Sequence, residues 1–194
     1  MVLVVHPGSP YKNMDDLLAA GKKEPGKLAF GSAGFGSPTY LGIKALEEKT
    51  GASLMHIPYK GMAPATEDFL GGHLAFLLTD GASIYPLVES GQAVPIGITV
   101  RSSMFPNTPA WTEAGLPGVP QSFSVMAPAK TPAAMVEKLA RVSMKVINDP
   151  ATRKILLDHS FVPVTDTPAS FGAQLKDERA LWKALIERNH IKVE

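Results

Sequence analysis

Apolar residues in the first half of the chain come in short runs. Each run is followed by a Gly, Ser or Pro loop and then by a stretch with helical spacing. Val2–Val5 reads as a strand and Asn13–Lys23 as a helix. Leu28–Phe30 with Ser37–Lys49, Leu54–Ile57 with Ala63–Leu70, and Leu74–Leu78 with Ser83–Glu89 repeat the pair, and Pro95–Val100 ends the series as a strand. This alternation predicts βαβ units and an α/β fold with a mostly parallel sheet. The helix ends carry matching signals. Ser37 is a good N-cap, Pro38 occupies a first helical position where its missing N–H costs nothing, and Gly51 follows the last periodic residues.

Arg101 to Pro120 breaks the rhythm with Pro106, Pro109, Gly115, Pro117, Gly118 and Pro120, and reads as a crossing between domains. Beyond it, Gln121–Ala127 alternates like a strand, Ala133–Ile147 and Ala151–His159 read as helices, and Phe161–Val164 as a short strand. A last helix runs from Thr167 to Asn189, with Trp182 on its apolar side. This half is helix-rich and has too few strands for a complete α/β domain.

Composition narrows the function classes. With 194 residues, 45% of them hydrophobic, the chain is long enough to fold around its own core. It has no cysteine, which excludes disulfides, zinc–thiolate sites and thiol catalysis. A net charge of +1 gives no basic excess for nucleic acid. No run reaches the roughly 18 apolar residues of a membrane-spanning helix. Val2–Val5, stopped by His6-Pro7-Gly8, is too short for an export signal.

In an open parallel sheet, ligands bind beyond the carboxyl ends of the strands. The tips predicted there are small and polar: Gly31-Ser32-Ala33-Gly34-Phe35-Gly36-Ser37, Pro58-Tyr59-Lys60-Gly61, Thr79-Asp80-Gly81 and Arg101-Ser102-Ser103. The first is the strongest signal. Glycines let successive N–H groups converge, the loop feeds a helix N-terminus, and Ser32, Ser37 and Thr39 add hydroxyls, which together suit an anion. A tight turn packing helix on strand reads equally well. The loop lacks the Gly-Lys-Ser/Thr ending of a phosphate-binding loop. Thr39 stands where a dinucleotide fingerprint needs its third glycine. A small carboxylate or phosphate therefore fits better than a nucleotide. Tyr59 and Lys60 read either as a strand-end tyrosine and an exposed lysine or as ligand contacts, and Asp80 as a ligand-orienting group or a turn former. Asp15-Asp16 complement a helix dipole, and Glu47-Glu48 read as solvated. His6, His56, His73, His159 and His190 show no ligand spacing and read as surface or satisfied histidines, so no metal site and no cofactor are expected. No nucleophile elbow appears, so an enzyme is the weakest reading.

At these residues the chain resembles the Bug-type solute receptors, the extracytoplasmic binding proteins of tripartite tricarboxylate transporters. The resemblance rests on Val4-Val5-His6-Pro7-Gly8-Ser9-Pro10-Tyr11, Gly31 to Pro38, Ile57-Pro58-Tyr59-Lys60-Gly61 and Leu70-Gly71-Gly72. It continues through Thr112-Glu113-Ala114-Gly115-Leu116-Pro117-Gly118, Ala127 to Pro132 and Asn189-His190-Ile191-Lys192, in order over nearly the whole chain. It implies a periplasmic-binding-protein-like fold that closes on a small carboxylate without turnover. The ligand would be a di- or tricarboxylate, the protein periplasmic, and the transporter's membrane subunits its partners. It implies that Gly31, Ser32, Ala33, Gly34, Phe35, Gly36 and Ser37 cradle the carboxylate, while Thr39, Tyr40, Tyr59, Lys60, Thr79 and Asp80 shape the rest of the site. The family carries a further stretch before the point where this sequence starts. Residues 1–7 are then a crossing strand, 8–100 a complete ligand-binding lobe, 101–120 the connection, and 121–194 the C-terminal part of an incomplete, helix-rich lobe. Tyr40 replaces a usual histidine, and Ala75 and Thr79 replace usual aspartates, which points to an altered ligand or to lost binding. An incomplete lobe leaves sheet edges and apolar helix faces open. The rival expectation is an interaction or sensor module that forms a homodimer.

Overall fold

The computed structural model describes residues 1–116, 118–119, 122–158 and 161–191. The chain divides into two compact units, Met1–Gln121 with Leu185–Glu194, and Ser122–Ala184.

The first unit is an α/β sandwich. Its strands are β1 (Val2–Val5), β2 (Ala29–Ser32), β3 (Met55–Pro58), β4 (Phe76–Thr79) and β5 (Val94–Ile98). Its helices are α1 (Met14–Lys23), α2 (Pro38–Thr50), α3 (Met62–Leu70) and α4 (Gly81–Glu89). The sheet order is β3-β2-β4-β1-β5. β2 pairs in parallel with both β3 and β4, whereas β1 runs antiparallel to β4 and β5. Four strands therefore point one way, and their carboxyl ends share an edge. β1 is buried at all four positions, because the sheet is covered on both faces. On one face Val2 and Val4 join Ala65, Phe69, Leu77 and Ile84 in a cluster. Phe30 stacks on Phe76, ring centroids 5.5 Å apart. Each fully buried Val, Leu, Ile or Phe among these contributes about 1.5–3 kcal/mol.

The capping signals read from the sequence bound α1 and α2. Asn13 caps α1, and Ser37 caps α2, which has Pro38 in its first turn and a left-handed Gly51 at its end. α3 starts at Met62 after Gly61, and Asp80 caps α4, which therefore starts at Gly81 rather than Ser83. Four strands are shifted from expectation, β3 by one residue to Met55–Pro58. β2 reaches Ser32, so Gly31 and Ser32 are strand residues rather than loop residues, and β4 likewise takes in Thr79. β5 ends at Ile98, two residues before Val100. Glu47 is not simply solvated. Its Oε1 accepts the Leu54 N–H at 2.6 Å and its Oε2 pairs with Lys44 at 2.7 Å. Glu48 pairs with Arg188 and accepts from Asn189.

The second unit holds α5 (Ala133–Ile147), α6 (Pro150–Asp158) and the larger part of α7 (Pro168–Arg188). The expected strands Gln121–Ala127 and Phe161–Val164 do not form among the described residues. A strand needs a neighbour to satisfy its backbone, and no strand of this unit is described. Phe123 and Val125 are left 71% and 89% exposed, although the Phe123 ring meets Phe161 edge-on at 5.4 Å. Met135, Leu139, Val142 and Val146 form an exposed apolar stripe on α5. Pro117, Pro120, Gln121, His159 and Lys192, which entered the expectations above, lie outside the described residues.

Candidate functional site

The junction between β2 and α2 holds most of the candidate residues. β2 ends on Ser32, whose carbonyl accepts the Tyr59 N–H at 3.0 Å and so ties the ends of β2 and β3 together. The chain then turns through Gly34 at φ 107° and Gly36 at φ 77°, angles that side chains rarely tolerate. Ser37 closes the turn. Its hydroxyl donates to the Gly34 carbonyl at 2.7 Å and accepts the Tyr40 N–H at 3.3 Å. Thr39 Oγ1 accepts the Ala33 N–H at 3.4 Å and lies 3.1 Å from Ser37 Oγ. The loop thus delivers the start of a 13-residue helix, with its dipole, to the carboxyl edge of the sheet. The Ser37 and Thr39 hydroxyls are engaged at the loop itself, while Ser32 Oγ bonds both Gly34 and His56.

Aromatic rings line one flank. Phe35 stands 44% exposed at the loop tip. It meets Tyr40 edge-on at 5.4 Å and His56 at 4.9 Å. Tyr40 and His56 lie 4.3 Å apart, and His56 also packs on Phe30 at 5.1 Å. The Lys44 ammonium lies 5.8 Å from the Tyr40 ring centre. Burial lowers the His56 pKa from 6.5 to about 4, with the Lys44 charge adding to the effect, so the imidazole is neutral near pH 7. Burial raises the Tyr40 pKa, an effect the Lys44 charge partly offsets.

Tyr59 lies beside this loop. An added Cβ on Gly34 would stand 3.5 Å from the Tyr59 carbonyl. Its hydroxyl donates to Asp68 at 2.6 Å. Burial, with Asp68 adding to it, pushes the phenol up to about 12. Lys60 is exposed at the next position. Thr79 is buried at the end of β4, and Asp80 accepts the Ser83 N–H at 2.8 Å as a helix cap. The structure therefore brings Gly31 to Ser37, Thr39, Tyr40 and Tyr59 into direct contact. Thr79 and Asp80 share the sheet edge, but no hydrogen bond joins them to the loop among the described residues.

One residue of this cluster escaped the sequence reading. The sequence reads His56 as a surface or satisfied histidine, yet its Nε2 lies 2.6 Å from Ser32 Oγ, and its buried Nδ1 has no partner. The signal that finds it is the parallel register pairing Phe30 with His56, which local sequence does not carry. Among the described residues, no cluster of His, Asp and Glu could hold a metal ion. No helix is long and apolar enough to cross a membrane among those residues.

The family model described as the tripartite tricarboxylate transporter family receptor matches residues 1–191. Protein BugT of Bordetella pertussis is 30% identical over 197 residues, covering 100% of this chain and 60% of that protein. A solved structure of a periplasmic transporter superposes with a TM-score of 0.86 at 28% identity, covering 100% of this chain and 66% of the other. R. palustris Rpa4515, solved with adipate, gives 0.86 at 25% identity over 98% of this chain and 65% of its own. The chain thus spans about 60% of the length of its curated relative. Its fold is the α/β, mostly parallel arrangement of periplasmic binding proteins. On the match over residues 1–191, the chain belongs to the tripartite tricarboxylate transporter receptor family.

Proposed function

We propose that this chain is the ligand-binding portion of a periplasmic solute receptor that captures a small di- or tricarboxylate without chemical turnover and delivers it to membrane subunits of its transporter. The observation that carries this reading is the β2–α2 junction, where a glycine loop brings a capped helix N-terminus to the carboxyl edge of the sheet. A carboxylate there would meet the Phe35 and Gly36 N–H groups of the turn and the positive end of the α2 dipole. The hydroxyls of Ser37 and Thr39 can exchange their partners within the loop for ligand oxygens. Tyr40, Tyr59, Lys60, Thr79 and Asp80 would set the rest of the specificity. The adipate bound by the R. palustris relative supports a dicarboxylate as the first candidate.

The Ser32–His56 contact is the feature closest to a catalytic pair. Ser32 is fully buried, and His56 Nδ1 meets no acid that would orient it as a base. Binding rather than catalysis accounts better for both facts.

The test is a thermal-shift panel of adipate, succinate and citrate, with phosphate and nucleotides as controls. At 100 times its dissociation constant a ligand stabilises by about 2.7 kcal/mol. A rise in Tm with a carboxylate alone, lost in Gly34→Val, is the expected result. A flat panel from the folded protein overturns the reading. It would favour the second reading, association with another copy through the exposed α5 stripe. A clean monomer by light scattering at high concentration would in turn exclude that.

A further inference from the structure

The Ser32 hydroxyl has three neighbours: His56 Nε2 at 2.6 Å, the Gly34 N–H at 3.1 Å and the Gly34 carbonyl at 3.2 Å. A hydroxyl has one proton and two lone pairs. The Gly34 N–H can only donate, so it takes one lone pair. The Gly34 carbonyl can only accept, so it takes the proton. All three contacts are then made only if His56 Nε2–H donates to the second lone pair. The opposite tautomer would put the proton on Nδ1, which is buried with no partner, and a bare buried N–H is costly. In this arrangement His56 grips the loop twice. It reaches the backbone through Ser32, and its ring packs at 4.9 Å on Phe35, the tip residue between Gly34 and Gly36.

We propose that His56 is a positioning residue for the ligand site: its Nε2–H locks Ser32 onto both polar atoms of Gly34 and so holds the Gly34–Gly36 turn in its anion-receiving shape. Ser32 then acts as a brace inside the loop rather than as a ligand contact, in keeping with its complete burial. The inference deepens the carboxylate reading and rests on it for its ligand.

The test has a ligand-free arm and a binding arm. In the uniformly ¹⁵N-labelled chain without ligand, His56 should show the neutral Nε2–H tautomer. The amide resonances of Gly34, Phe35 and Gly36 should move in His56→Leu and Ser32→Ala but stay close to wild type in His56→Gln, whose amide can still donate near the Nε2 position. With adipate as probe, or succinate or citrate if that is the acid that binds, His56→Leu and Ser32→Ala should each weaken affinity about tenfold. The double variant should lose no more than either single one, and His56→Gln should recover most of the loss. If the leucine variant does not fold, Ser32→Ala and His56→Gln carry the same comparison. An Nδ1–H tautomer, unmoved loop amides, or additive losses overturn the brace. Failure of the wild type to bind any of these acids refutes the carboxylate reading instead, and the tautomer and loop amides still decide the brace on their own.

Discussion

The neutral His56 makes acid stability measurable at one residue. Its folded pKa is about 4 against 6.5 for the free side chain, first because of burial and then because of Lys44. Between those values the unfolded chain takes up a proton that the folded chain refuses. Acid therefore favours unfolding. The contribution is complete above about pH 6.5 and is lost as pH falls toward about 4. At about 1.36 kcal/mol per pKa unit the ceiling is about 3 kcal/mol. Because the ring is only half-buried, solvent screening brings this to about 1–2 kcal/mol. Urea unfolding of the wild type and of His56→Gln from about pH 7 to about pH 4.5 isolates this contribution, because shared carboxylates cancel in the difference. The wild type should lose about 1–2 kcal/mol more than the variant over that window. Parallel curves would mean that the ring takes up its proton equally readily when folded, and would refute burial as the cause of its neutrality.

Three further outcomes follow from the packing. Gly31→Ala would place a Cβ 2.8 Å from Leu74 Cδ1 and 3.0 Å from Ala65 Cβ. Urea titration should show about 1–3 kcal/mol of destabilisation from overpacking, and an unchanged midpoint would contradict the close approach of β2 to α3. Gly34→Ala has room for its methyl, the nearest atom being the Tyr59 carbonyl at 3.5 Å, but must hold φ near 107°. Backbone strain of about 1–3 kcal/mol should appear as a lower Tm, and none would mean that the turn relaxes freely. Trp111 is buried at 1% exposure, and its Nε1 has no hydrogen-bond partner. Trp111→Ala should cost about 3–5 kcal/mol in chemical denaturation, while Trp111→Phe should cost markedly less because no bond is broken.

The parts of the fold that local chemistry dictates were legible in the sequence. α2 is announced by Ser37, Pro38 and Gly51, all of which act as read. Boundaries set by distant neighbours were not. Gly31 and Ser32 look like a loop, yet Gly31 is a strand residue whose missing side chain makes room for Leu74, Ala65 and Leu77. Gln121–Ala127 alternates as a strand should and Phe161–Val164 is a short, mainly apolar run, but neither pattern supplies a pairing, and the described chain offers them no partner strand. The glycine loop could be located from sequence because backbone freedom is a local property. His56 could not, because its significance comes from lying beside Phe30 across a parallel ladder and from a contact with Ser32.

The antiparallel strand inside the sheet has a kinetic consequence. β1 pairs through Val2 with Thr79 on one side and Ile98 on the other, whereas β2 finds β3 across a single helix. Contacts so distant along the chain require the closure of long loops, whose entropy cost precedes any gain from pairing, and such topologies fold slowly. The β2–α2–β3 unit can therefore assemble before the sheet is whole, while β1 waits for both neighbours. In pulsed hydrogen exchange during refolding, the amides of β2 and β3 should gain protection ahead of those of β1. Until β1 is seated, the edges of β4 and β5 lack their shared partner, and that interval is when the chain is most exposed to pairing with the wrong strand.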